Sequence, residues 1–183
     1  ALVFSSGMTY TNTGITAIVM GGNITTAGKV MNDFVVLDGT TVTLQDNWEG
    51  PQTTTFSAQT GPLGSTLNFN NKDVNVAKIF FNAGGGGVRT LTLGNGTITL
   101  NQSDGANLIF ELPTAVNANG STIVINHTGA ALKTFAGGGL TYNNISITGD
   151  NVLITGNNTF NQLGLNNAGR TTGLKIATGS TQT

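Results

Sequence analysis

One histidine, eight carboxylates and two arginines are the side chains of this 183-residue chain best suited to chemistry, and they are scattered along it. His127 lies between Asn126 and Thr128, just after Ile125. A general base needs a nucleophile to serve and a third group to orient it. Neither is recognisable near His127, which reads as a solvated histidine on the rim of the fold. With one His and no Cys, a zinc site would draw on several carboxylates, and the acids do not cluster. Glycoside hydrolysis asks for two acids about 5 to 10 Å apart across one bond. Asp33 with Asp38, or Asp38 with Asp46, could approach across a turn, but neither pair has the aromatic or arginine neighbours of a sugar site. Arg89 and Arg170 stand far apart along the chain. Asp150, in Gly149-Asp150-Asn151, lacks the tandem Gly-Gly-x-Gly-x-Asp repeats of a calcium turn and reads as bonding its own turn. Gly84-Gly85-Gly86-Gly87 is followed by Val88-Arg89-Thr90-Leu91-Thr92, a strand rather than the helix a phosphate loop must open, so it reads as a corner. The Asn-x-Ser/Thr triplets at Asn23, Asn95, Asn101 and Asn144 arise by chance in a chain so rich in Asn and Thr. No catalytic, cofactor-binding or metal-ligating residue is expected, and no cofactor.

The elements that carry these residues follow from composition. Charged side chains make up 8% of the chain, against about 25% in an ordinary soluble domain. Gly, Thr and Asn together fill 81 of the 183 positions. A net charge of −1 without a basic cluster gives no footprint for nucleic acid. The absence of Cys removes disulfides and thiolate chemistry. Coiled-coil pairing lacks its charged flanking positions, and apolar runs such as Ala17-Ile18-Val19-Met20 fall far short of the roughly 18 residues of a membrane span. Leu, Ile, Val and Phe number 49, enough for a chain of near-zero net charge to collapse rather than stay disordered. The expectation is one folded, β-rich domain.

Helix formers are scarce, and even Asn71 to Asn82 alternates as a strand would. Period-two alternation recurs at Leu91-Thr92-Leu93, Ile98-Thr99-Leu100, Ile123-Val124-Ile125, Ile145-Ser146-Ile147 and Val152-Leu153-Ile154. Between these segments lie Gly-Asn clusters, the residues that tolerate positive φ. The offset is 22 from Ile123 to Ile145, 18 from Ile145 to Leu163 and 22 from Val152 to Leu174. A quasi-period near twenty marks a solenoid, whose inward apolar residues form a column while outward Thr and Asn form ladders. Like charges would stack and repel on such ladders, which accounts for their scarcity. The fold class expected is therefore all-β, a right-handed parallel β-helix with an irregular N-terminal segment. An antiparallel β-sandwich is the alternative, favoured locally by the hairpin signals Asn95-Gly96 and Asn119-Gly120. Residues 1–30 read as a cap or subunit-contact segment, and 31–183 as the solenoid. Trp48-Glu49-Gly50-Pro51 reads as a loop leaving the coil. Phe80, Phe81, Phe110, Phe135, Tyr142 and Phe160 read as stacked core, with an outward row of aromatics pointing instead to carbohydrate. The strand-like end, Leu174 to Thr183, suggests that the chain continues or that a partner covers it.

The stretches Lys133 to Gly149, Ile154 to Leu163 and Gly173 to Thr183 resemble the β-solenoid repeats of phage structural proteins, and of large secreted surface proteins. Asp33 to Asn47 and Arg89 to Gln102 match more loosely. The resemblance implies a non-enzymatic virion component, part of a fibre, spike or decoration, working as a rigid rod or attachment module. Its partners would be itself, as a homo-oligomer with a trimer among the options, other virion or cell-surface proteins, and a surface glycan. Nucleic acid and membrane insertion are not expected. The alternatives are a secreted bacterial adhesin on the same repeats, extracellular rather than in the virion, and a β-helical polysaccharide-degrading enzyme.

Overall fold

The computed structural model describes residues 1–11, 18–81, 85–101, 108–111, 114–127, 129–166 and 173–183. Among the described residues twenty strands run around a three-sided coil. The first circuit holds β1 (Leu2–Val3), β2 (Ile18–Met20) and β3 (Gly22–Thr25). The next holds β4 (Phe34–Val36), β5 (Thr41–Leu44) and β6 (Trp48–Glu49), followed by β7 (Thr55–Ala58), β8 (Ser65–Asn68) and β9 (Val74–Val76). Then come β10 (Lys78–Phe80), β11 (Arg89–Thr92) and β12 (Thr97–Leu100), and β13 (Leu108–Glu111), β14 (Ala115–Asn117) and β15 (Thr122–Ile125). The last circuits are β16 (Lys133–Ala136) with β17 (Thr141–Ile147), β18 (Val152–Thr155) with β19 (Thr159–Leu165), and β20 (Leu174–Ile176).

Three parallel sheets result. Sheet A is β1-β3-β5-β8-β11-β14, sheet B is β2-β4-β7-β10-β13-β16-β18-β20, and sheet C is β6-β9-β12-β15-β17-β19. Every strand pairing among the described residues is parallel. The molecule is a β-solenoid of about six turns, without helix among the described residues. The sandwich alternative is set aside, because Asn95-Gly96 and Asn119-Gly120 make corners between parallel strands instead of hairpins. The three offsets read from the sequence are rungs of the ladder: Ile123 pairs with Ile145, Ile145 with Leu163, and Val152 with Leu174.

Corners set the length of each turn. In the lower coil, Val74, Ile98 and Ile123 stack on successive rungs of sheet C, with a full corner on either side of each strand. Higher up, the corner between sheets A and C is absorbed into one strand. In β17, Tyr142 and Ile145 both point inward and the half-buried Asn143 and Asn144 lie between them. Two consecutive outward residues bend the strand without breaking it, so the turn that carries Tyr142 onto Phe160 is shorter than those below it. Where true corners remain, backbone packing is close. Gly64 has φ of 79°, and a Cβ there would lie 2.3 Å from the Val88 carbonyl oxygen of the next turn. Only glycine fits that position.

Inward side chains from all three sheets form one column, from Ile24 at the bottom to Ile154 at the top. Each fully buried Leu, Ile or Phe contributes about 1.5–3 kcal/mol to its stability. Two aromatic groups punctuate it. Phe34, Trp48, Phe56 and Phe69 meet mainly edge to face in the lower coil, with Trp48 and Phe56 centroids 4.8 Å apart. Phe110 and Phe135 stack at 4.4 Å in the upper coil, flanked by Tyr142 and Phe160. Trp48 therefore corrects the expectation of a loop leaving the coil. It is fully buried, and β6 pairs with β9 at the foot of sheet C. Gly50 and Pro51 end that strand at once, which makes it look like a break. Strands β1 and β3 begin sheet A and β2 begins sheet B.

Candidate functional site

Four of the aspartates, Asp33, Asp38, Asp46 and Asp73, bond backbone amides across neighbouring turns. Asp33 accepts the Thr55 N–H at 2.8 Å. Asp38 accepts from Gly64 at 3.1 Å and Leu63 at 3.4 Å. Asp46 accepts from Thr26 at 2.8 Å through Oδ1 and from Ala27 at 2.6 Å through Oδ2. Asp73 takes the Thr97 N–H at 2.8 Å. Each partner lies 19 to 26 residues away in sequence, one turn of the coil. Corners leave backbone donors outside the sheet ladders, and these carboxylates satisfy them. The expected pairs are not brought together: Asp33 precedes β4, Asp38 follows it, and Asp46 follows β5, so the three stand at successive corners. Asp150 behaves as expected, accepting the Asn151 N–H of its own turn at 2.9 Å.

Amides do the same work elsewhere. Asn71 accepts from the Asn95 N–H, and Asn95 in turn from Gly120, both at 3.0 Å. Asn158, buried in the upper coil, accepts the Gly139 N–H and donates to the carbonyls of Thr155 and Gly156 and to Gln182 Oε1. Arg89 is fully buried, with Nη1 donating to the Gly87 carbonyl at 2.8 Å and Nη2 to Gln59 at 3.3 Å. Its guanidinium thus clamps the corner that Gly85 and Gly86 form with φ of 88° and 79°, and no helix opens there. Gly84 and Arg170 lie outside the described residues.

His127 departs from expectation. It is 2% exposed rather than on a solvated rim, tucked under the turn where a Cβ on Gly149 would lie 2.7 Å from the His127 carbonyl oxygen. The apolar Ile125 before it faces inward, and with one residue between them His127 takes the same side. Tyr142 donates its hydroxyl to the Gly137 carbonyl at 2.7 Å, and burial pushes its phenol pKa well up. Of the aromatics, Phe81, Phe110, Phe135, Tyr142 and Phe160 are buried in the core, and Phe80 turns outward from sheet B and is half-buried. Among the described residues no group of three or more His, Cys, Asp or Glu comes together to hold a metal.

What remains available for recognition is the outer surface. Sheet A shows Thr41, Thr66 and Thr90 in one column, with Thr43, Asn68, Thr92 and Asn117 in the next. At the corner leading into sheet A, Leu37, Leu63 and Val88 are exposed on three successive turns. On sheet C a shallow groove of about 480 Å³ is lined by Thr122, Asn144, Ser146, Gln162, Leu163 and Gly164. It exists because Gly164 stands on the Ser146 rung without a side chain. These surfaces offer neutral hydroxyl and amide groups at fixed spacing. No protein-family model, curated protein or solved structure matches the chain.

Proposed function

We propose that the chain is a non-catalytic structural module, a stiff rod that spaces or attaches other components of a phage particle as part of a fibre, spike or decoration. The observation that carries this reading is the use of Asp33, Asp38, Asp46, Asp73 and Arg89 to tie one turn to the next. Residues that serve enzymes as acids and clamps are here part of the frame. The phage setting rests on the sequence resemblance of Lys133 to Gly149, Ile154 to Leu163 and Gly173 to Thr183 alone. Self-association through the sides of the coil, including as a trimer, belongs to the same reading, because most soluble oligomers are homo-oligomers of closed symmetry. A second setting, a secreted bacterial adhesin, is favoured by the neutral groove at Asn144 and Gln162, whose amides suit glycan hydroxyls.

Immunogold labelling of purified phage particles and of bacterial cells separates the two settings. Label on the particles is expected, and label confined to the cell surface transfers the rod to the adhesin. Limited proteolysis tests the rod itself. Strands β7 to β15 are expected to stay uncut under protease that trims the ends, and early cleavage within them overturns the mechanical role. Sedimentation velocity reads the oligomer.

A further inference from the structure

The outward positions of sheet A carry no charge, and they hold more threonine than those of the other two sheets. The six strands of sheet A contain a single charged residue, Arg89, and that side chain is buried. Sheet B, by contrast, includes Lys78, Glu111 and Lys175 on its outward positions, and sheet C includes Glu49. From β5 to β14 the outward residues of sheet A fall in two columns, Thr41-Thr66-Thr90-Ala115 and Thr43-Asn68-Thr92-Asn117, in unbroken register, while β3 and β1 below them present Asn23, Thr25 and Val3. Rungs of a parallel sheet stand about 4.8 Å apart, and outward residues along one strand about 6.6 Å. The array is therefore a regular, uncharged two-dimensional lattice. It is also stiff. Thr is β-branched with a restricted χ1, and Asn117 donates to Thr92 Oγ1 at 3.1 Å, joining one rung to the next.

The chemistry of the array selects its ligand. A charged ligand finds no opposite charge on these strands. Sugar rings bind best against aromatic faces, and no outward residue of sheet A is aromatic. A stable protein partner covers about 800 Å² per side around Trp, Tyr or Arg anchors, and the large apolar groups beside these columns, Leu37, Leu63 and Val88, include no such anchor. Water is the remaining match. Each Thr offers a hydroxyl that donates and accepts beside a methyl that orders the first water shell. The two repeat distances are of the same order as the oxygen spacings of hexagonal ice. We propose that the outward face of sheet A binds ice, with Thr41, Thr43, Thr66, Thr90 and Thr92 anchoring an ordered water layer. This activity is independent of whether the coil serves a phage or a cell surface.

The test is thermal hysteresis and ice-crystal shaping by the full chain, compared with Thr66→Tyr and Thr90→Tyr on sheet A and Thr99→Tyr on sheet C. Tyr is well accepted in strands, and an unchanged urea midpoint confirms that each variant is folded. The native chain is expected to hold ice crystals at a fixed size below their melting point. Both sheet A variants should lose most of that gap, and T99Y should keep it. A native chain without hysteresis overturns the proposal. So does an equal loss in T99Y, or sheet A variants that disturb self-association or glycan capture while leaving ice growth inhibition intact.

Discussion

The lower and upper halves of the coil hold their corners with different chemistry. From Asp33 to Asp73 the anchors are mainly carboxylates, beside the amides of Asn47 and Asn71, and Asp38 and Asp46 each take two N–H groups of one neighbouring turn. From Asn95 to Gln182 they are mainly amides, which accept from one turn and donate to another group at once. A carboxylate is a stronger acceptor with no donor, and a second one stacked on the next rung would repel it. It therefore works as an isolated anchor. An amide can be repeated, as Asn71 and Asn95 show on consecutive turns. The coil uses charge where one strong anchor suffices and amides where the column must continue.

The largest expected effect breaks the comparison at the core. Phe56 touches Phe34, Trp48 and Phe69, and Phe56→Ala should cost about 3–5 kcal/mol. Phe135→Ala, which empties the stack on Phe110, should cost a similar amount in the upper half. Solenoid turns couple mainly to their neighbours, so the two losses need not travel. Trp48 is the one tryptophan and reports the lower half alone. In urea, F56A is expected to move the Trp48 fluorescence transition below that seen by far-UV circular dichroism, whereas F135A shifts the circular dichroism first. Coincident transitions in both variants would show one cooperative unit instead.

The anchors come next. Asn158→Ala removes one acceptor and three donor contacts at a buried site, and about 3 kcal/mol should be lost. Asp46→Ala removes two contacts instead of four, from a half-buried carboxylate to the amides of the buried Thr26 and half-buried Ala27, so about 2 kcal/mol is expected. Urea midpoints of both variants measure the difference. An Asp46→Ala cost exceeding that of Asn158→Ala would reverse the ranking of isolated and continuous anchors.

Much of this frame is legible in the residues. The recurrences of Ile123 at Ile145, Ile145 at Leu163 and Val152 at Leu174 coincide with true rungs because inward apolar doublets return once per turn. Their inequality also has a cause, the loss of a corner inside β17 and β19. Trp48 escapes a reading by alternation because so short a strand beside Gly50 and Pro51 has too little of it to register. The anchors are hidden for a different reason. Asp46 is separated from Thr26 by 20 residues, and nothing local tells a carboxylate that bonds backbone from one that faces solvent. His127 looks external because its polar flanks outweigh its parity with Ile125. For the outer surface, the repeated Thr41-Val42-Thr43 and Thr90-Leu91-Thr92 are the available signal, and only the register of β5, β8 and β11 shows that they stack.

The smallest effect concerns a fully buried phenol, which among the described residues lies in the upper half. Tyr142 is buried with its hydroxyl on the Gly137 carbonyl, and its phenol pKa lies well above the ordinary value because burial disfavours the phenolate. An unfolded chain releases this proton near pH 10, while the folded chain retains it. Above that pH the folded state binds one more proton than the unfolded state, so stability falls as pH rises, by about 1.4 kcal/mol per unit. Below pH 10 both states hold the proton and this term vanishes. Tyr142→Phe should cost about 1 kcal/mol at neutral pH, through the hydrogen bond lost at Gly137. It should also flatten the alkaline decline between pH 10 and pH 11 by the slope given above. Urea midpoints of the native chain and Y142F across this range measure both terms. Parallel declines in the two proteins would assign alkaline sensitivity to groups elsewhere in the coil and remove this distinction between its halves.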